Sequence, residues 1–215
     1  IYGILSVFSN YLALIEKTQK DKLTGLYNRE TLDNEITKIL VRQGPHFNDQ
    51  ITSPNDSRRR SFAVKYWLGV IDIDNFKTIN DNFGHLYGDE VIILVARLMT
   101  SGLIRDDDLV YRYGGEEFVV VLKAANEDDA MHTFERIREM VAAHKFPQIN
   151  QVTISIGFVE IVAQSSPADV IGEADEALYY AKGNGRNQVH SYNRLLQEGR
   201  VKSVSKVAHG GVELF

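Results

Sequence analysis

The chain contains no cysteine. Disulfides, thiolate zinc sites and cysteine nucleophiles are therefore excluded, and the composition fits a reducing compartment. No apolar run approaches the length of a membrane span, and no signal-peptide pattern occurs. An excess of positive charge is missing too. The formal net charge is −5, so nothing draws the chain as a whole to nucleic acid or to an anionic membrane. A nucleotide ligand would have to be met by local positive charge and metal. No internal repeat is present. What remains is ordinary soluble material: 44% of the 215 residues are hydrophobic and 25% charged. That suffices for one domain with appendages rather than two full domains. The chain begins at Ile1 rather than Met and reads as a piece of a longer protein.

The first twenty residues place Ile1, Leu5, Phe8, Leu12 and Ile15 at alternating spacings of four and three, a short heptad seam. Residues 1–20 read as the end of a helical stalk arriving from upstream, or as one amphipathic helix folded back on the domain. After Gly25, the residues Leu32, Ile36, Ile39 and Leu40 give a helix one apolar face. Residues 43–64 are rich in Pro, Asn, Asp and Ser and include Arg58 to Arg60, so they read as a long, polar, mobile loop. "YWLGVIDIDNF" is a buried strand ending in acids, and "GDEVIILVARLM" is helical. "RYGGEEFVVVL" supplies two strands joined by a glycine turn, and a helix carrying Ala130, Phe134, Ile137 and Val141 follows. "QVTISIGFVEI" is a further strand. Ser166 caps a helix with Pro167 at its first position, and that helix stops at Gly183. "NQVHSY" is a last short strand, with a polar tail over 193–215. The order predicts an α+β domain: a central mixed or antiparallel sheet flanked by helices, ferredoxin-like, as in the palms of nucleotidyl transferases.

The chemistry concentrates at strand ends. Asp72 closes one buried strand, and Glu116 sits on the glycine turn that opens another. If those strands are neighbours, their carboxylates meet at one end of the sheet. An all-oxygen set of that kind suits Mg²⁺ or Mn²⁺, and Glu117 supplies a carboxylate for a second ion. Gly114 and Gly115 leave room for a phosphate chain to pass near the backbone. Either acid alone would read as a solvated strand end; the pair weakens that reading.

Four segments, "DKLTGLYNR" (Asp21–Arg29), "DIDNFKTINDNFGHLYGDEV" (Asp72–Val91), "GGEEF" (Gly114–Phe118) and "AKGNGRN" (Ala181–Asn187), stand in one order along the chain. Together they resemble the GGDEF-type diguanylate cyclases over about Asp21 to Tyr192. The resemblance implies a palm-like nucleotidyl-cyclase fold over 21–192, behind the stalk. It implies an enzyme that condenses two GTP into cyclic di-GMP, releasing two pyrophosphates, with two domains facing each other as a homodimer. By motif position, Asp72, the Ile73 carbonyl, Glu116 and Glu117 would hold metal, two ions per site. Asp72, Glu116 and Glu117 would be catalytic. Asn80 and Asp89 would recognise guanine, while Phe76, Lys77, Gly114, Gly115, Lys182 and Arg186 would contact substrate. Taken alone, Asn80 and Asp89 read as a loop residue and a helix N-cap, and the basic residues as surface charge.

Arg105 and Asp108 form an R-x-x-D pattern shortly before the glycine turn. In the resembled family this marks a product-binding inhibitory site, with Arg136 as its second arginine. The resemblance also implies a cytoplasmic domain, in a full-length protein that is soluble or membrane-attached, under an upstream sensor absent from this chain. Residues 43–64 and the tail exceed the family's usual connections. Glu116 replaces the family's aspartate and keeps the carboxylate. The competing reading is a catalytically silent GTP or cyclic di-GMP receptor, though such proteins usually have a damaged turn motif. A scaffold acting only in protein interaction would leave this residue set unexplained.

Overall fold

The computed structural model describes residues 18–43, 65–101, 108–149 and 151–202. The stalk expected over 1–20 falls almost wholly outside them, as do nearly all of the 43–64 loop, Arg105 and the end of the tail. The elements run β1 (Tyr27–Asn28), α1 (Arg29–Gln43), β2 (Lys65–Ile73), α2 (Phe76–Phe83) and α3 (His85–Thr100). Then follow β3 (Leu109–Gly114), β4 (Glu117–Ala124), α4 (Glu127–Ala143), β5 (Ile154–Ile161), α5 (Pro167–Gly183), β6 (Val189–Ser191) and α6 (Tyr192–Gln197). The strands form one six-stranded sheet in the order β1-β3-β4-β2-β5-β6. It is mixed. β2 lies antiparallel to both β4 and β5, while the outer pairs β1–β3 and β5–β6 are parallel.

Because side chains alternate along a strand, β2 feeds two cores. Trp67, Ile71 and Ile73 join Phe118, Val120, Leu122, Phe134 and Phe158 on the face covered by α3 and α4. Leu68 and Val70 join Val119, Val121, Leu32, Ile36, Ile39, Ala174 and Leu178 on the face covered by α1 and α5. Asp72 continues that second series, two residues beyond Val70. Helix α5 lies unusually close to the sheet there. A Cβ on Gly157 of β5 would stand 2.1 Å from the Leu178 nitrogen and 2.2 Å from the Ala174 oxygen. Only glycine allows this approach, and it carries the C-terminal end of α5 to the rim where Asp72 lies.

The helix starts follow local chemistry. The Ser166 hydroxyl accepts from the Asp169 amide with Pro167 following, and Asn126 caps α4 in the same way through Asp129. Three differences from the sequence expectations stand out. Asn80 lies in α2, not in a loop. Helix α3 begins at His85, so Asp89 is inside it and Gly84 holds the N-cap position. The chain beyond Tyr192 is not simply a polar tail, because α6 buries Tyr192 and Leu195 and its Arg194 pairs with Glu127 and Asp128 of α4.

Candidate active site

The sheet brings the strand-end acids together. β2 and β4 are neighbours, and Asp72 stands directly opposite Glu117. Both side chains lie on the α1/α5 face, because they share the phase of Val70 and Val119. Opposed like charges in a sheet are destabilising, so this pair calls for a cation. Lys182, in the last turn of α5, supplies one: its ammonium lies 2.9 Å from Asp72 Oδ2. Burial, added to by the charges of Glu116 and Glu117, still pushes the Asp72 carboxyl up to about 6, against the pull of Lys182. Glu117 is pushed up as well, by burial first and then by Asp175 and Glu116, while Lys182 and Arg29 pull it down. The site is therefore an oxygen-rich end of the sheet with less positive charge than its acids can use.

The turn bearing Glu116 is tied from behind. Arg112 donates from Nη2 and Nε to the Gly115 carbonyl at 2.8 and 3.1 Å. Its Nη1 meets both oxygens of Asp21 at 3.1 and 3.2 Å. Asp21 Oδ1 in turn accepts from the Thr24 amide at 2.9 Å and from its hydroxyl at 2.8 Å. Gly115 itself is left-handed at φ 52°. Burial alone would raise the Asp21 carboxyl, but the Thr24 bonds and the Arg112 guanidinium outweigh it and hold it below the ordinary carboxylate range. The first residues of the domain thus hold the turn through one arginine.

A second acid at the end of β2 has a different setting. Asp74 is 5% exposed. It accepts from Ser155 Oγ and Thr153 Oγ1, each at 2.7 Å, and from the Asn187 amide at 3.0 Å. Asn187 Oδ1 also accepts from Arg138 at 2.9 Å. The loop so anchored is strained: Gly185, Arg186 and Asn187 take φ of 112°, 62° and 47° in succession. Asp74 thereby fixes the segment that carries Lys182 and Arg186 to the strand that carries Asp72. The sequence reading passed over Asp74, Thr153 and Asn187. A signal was present in "DID", where Asp74 repeats Asp72 at the two-residue spacing of one strand face.

The other candidate residues are distributed as follows. Phe76 is 7% exposed and its side chain belongs to the core, leaving its backbone for any ligand. Lys77 is exposed on α2, and Asn75 before it is left-handed without a side-chain capping bond. Asn80 and Asp89 lie on the paired helices α2 and α3, both half-buried. The Asn80 Oδ1 atom is buried and has no hydrogen-bond partner. Gly114 and Arg186 are exposed. Of the expected inhibitory site, Asp108 accepts from the Lys123 amide at 3.3 Å at the start of the β3–β4 hairpin, and Arg136 is exposed on α4.

The donor set suits a hard cation. Asp72, Glu116, Glu117 and the Ile73 carbonyl are all oxygen donors, and Asp72 is short of positive charge. Among the described residues no group of three or more His, Cys, Asp or Glu side chains could hold a metal on its own. A divalent ion such as Mg²⁺ needs only one or two carboxylates from a protein and completes its shell with water and phosphate.

A family model described as "Diguanylate cyclase, GGDEF domain" matches residues 18–188. Diguanylate cyclase DgcZ of Escherichia coli is 34% identical over 187 residues, which are 86% of this chain and 56% of that protein. Two solved structures are similar: the coiled coil and GGDEF domain of DgcB from Caulobacter crescentus, and the active GGEEF domain of a Vibrio cholerae diguanylate cyclase. The first, in complex with c-di-GMP, is 27% identical at a TM-score of 0.73, covering 88% of this chain and 94% of its own. The second is 35% identical at a TM-score of 0.62, covering 77% and 96%. The chain spans about half or less of the curated relatives it matches. By this match the chain belongs to the GGDEF family of diguanylate cyclase domains.

Proposed function

We propose that this chain is a diguanylate cyclase domain that condenses two GTP into cyclic di-GMP and two pyrophosphates. The observation that carries the reading is the cross-strand pair Asp72–Glu117, with Lys182 on Asp72 and Glu116 on the adjoining glycine turn. A structural sheet would not oppose two acids at a half-buried rim without a ligand to gain by it.

In this reading Asp72, the Ile73 carbonyl, Glu116 and Glu117 hold Mg²⁺ or Mn²⁺, two ions per site. When bound, the metal neutralises charge on the triphosphate and on the leaving pyrophosphate. Lys182 and Arg186 reach the phosphates from the end of α5, and Lys77, the Phe76 amide, Gly114 and Gly115 approach them from the other side. Asn80 and Asp89 take the guanine. Asp89 accepts from its N1 and N2 hydrogens, a donor pair that adenine lacks. The 3′-oxygen of one GTP attacks the α-phosphorus of the other. The bond from that phosphorus to the bridging oxygen breaks and pyrophosphate leaves, while Glu117 takes the hydroxyl proton. A second such step closes the ring.

One domain holds one GTP, so the active species is a homodimer with its two sites facing, its geometry set by residues 1–20 and an upstream sensor. Arg105, Asp108 and Arg136 bind product and inhibit, because guanidinium pairs bidentately with phosphate or guanine and stacks on the base. Arg105→Ala is expected to relieve product inhibition and leave initial turnover unchanged. The domain acts in the cytoplasm; no helix among the described residues is long and apolar enough to cross a membrane.

The test is chromatography of the nucleotides after incubating the chain with GTP and Mg²⁺. Cyclic di-GMP and pyrophosphate in a 1:2 ratio are expected from the wild type and neither from Asp72→Ala. Tight GTP binding by a demonstrated dimer without turnover would overturn the enzyme and support the silent receptor.

A further inference from the structure

Gly88 lies in the interior of α3, and its φ is outside the left-handed range. It does not use the conformational freedom of glycine, and alanine there would favour the helix. Space is what it uses. A Cβ on Gly88 would stand 2.0 Å from Asn80 Oδ1, 3.0 Å from Asn80 Cγ and 3.0 Å from Phe76 Cζ. The first distance is far inside any real contact. By contrast, a Cβ on Gly172 of α5 would meet nothing within 4 Å. The volume a side chain would fill at position 88 is thus occupied by the amide of Asn80, reaching across from α2.

That amide is itself unsatisfied. Its Oδ1 is buried against α3 without a partner, so the seat holds it by shape and not by a hydrogen bond. Two independent observations therefore meet at one atom: a missing Cβ on α3 makes its seat, and the seat offers it nothing to bond.

We infer that Gly88 is a specificity-determining positioning residue: its bare Cα seats Asn80 Oδ1 against α3, which fixes the amide so that its Nδ2 is turned to an acceptor of the bound guanine. This rests on the reading that Asn80 faces guanine. Gly88 touches no reacting atom and acts through Asn80 alone. Any side chain at 88 would turn the amide out of its seat, which is the cheaper movement because Asn80 ends in a rotatable group while the helix backbone does not yield.

The test is a double-mutant cycle with Gly88→Ala, Asn80→Ala and the pair, measuring binding of GTP and of ATP to the full chain, with thermal midpoints alongside. Gly88→Ala is expected to weaken GTP by roughly tenfold and to lower the GTP-over-ATP preference by the same factor. Its melting midpoint should stay near the wild type. The pair should bind GTP no worse than Asn80→Ala, because both changes remove one contact. The pair lacks the clash with Asn80 and keeps only the 3.0 Å approach to Phe76 Cζ, so it keeps the cycle readable if the single glycine variant folds poorly. Additive losses, or a lower midpoint with nucleotide preference intact, would make Gly88 a packing residue and overturn the inference alone. If Asn80→Ala binds GTP as the wild type does, the assignment of Asn80 to guanine fails and the inference with it.

Discussion

Asp72 and Asp74 sit two residues apart at the end of one strand, each almost excluded from solvent, yet they are equipped in opposite ways. Asp74 is surrounded by donors: two hydroxyls and a backbone amide meet its oxygens, and nothing about it is left over. Asp72 faces two like charges across a strand pair and a turn, with one half-exposed lysine against it. The contrast separates architecture from chemistry. A buried acid whose partners are all supplied by the fold holds loops in place. One whose partners are other acids is waiting for something to bind.

The comparison can be broken at several points. The largest effect should come from Asp72→Ala and Glu116→Ala, which are expected to lower turnover by at least about 10²–10³-fold with little change in melting temperature. Retained turnover in either variant would remove the acid cluster from the chemistry. Asp74→Ala should show the reverse weighting. It orphans three donors and releases the strained 185–187 loop, so stability should fall by about 1–3 kcal/mol, with KM for GTP rising more than kcat falls. A variant as stable as the wild type would show that the loop needs no such anchor.

Smaller, and opposite in sign between two acids, are the pH effects. The Asp72 carboxyl is raised to about 6, so the folded protein binds its proton more tightly than the unfolded chain. In metal-free protein that contribution to stability is present at acidic pH and lost as pH rises from about 4 to about 6. Asp72→Asn should therefore melt higher than the wild type above pH 6, with the difference closing towards pH 4. The Asp21 carboxyl is held low, so its contribution is present at neutral pH and lost as pH falls below the ordinary carboxylate range. Asp21→Asn should lower stability by about 1 kcal/mol at pH 7, and that gap should close in acid. Melting curves of both variants from pH 3 to 8 decide the two signs.

The part of the fold legible in the sequence is the part written in apolar pattern. The runs that became β2, β4 and β5, and the spaced residues of α4 and α5, announce themselves because burial demands them. α2 is easy to overlook: "FKTINDNF" is eight residues dense in loop formers, and only Phe76, Ile79 and Phe83, at i, i+3 and i+7, mark the face that packs on α3. β1 has two residues, too few to show any period. α6 reads as polar because Tyr192 and Leu195 are its only buried side chains, the rest of its hold being ionic.

The candidate site divides along the same line. Strand-end acids on a glycine turn are visible as a pattern, but the acid that stands opposite Asp72 is Glu117 of β4 and not Glu116 of the turn, the one expected to meet it. The supports are not visible. Asp74 meets partners from 79 to 113 residues away, and Arg112 meets Asp21 across 91. Polar residues in a sequence carry no mark of whom they will bond, so such clasps appear only when topology has brought the ends together.

The measurement closest to the central claim is the specific rate of cyclic di-GMP formation from GTP and Mg²⁺ as a function of protein concentration. If the reaction needs two facing domains, the rate per molecule rises with concentration and then levels off as the dimer saturates. A specific rate independent of concentration, in a chain shown to be monomeric over the same range, would contradict the account.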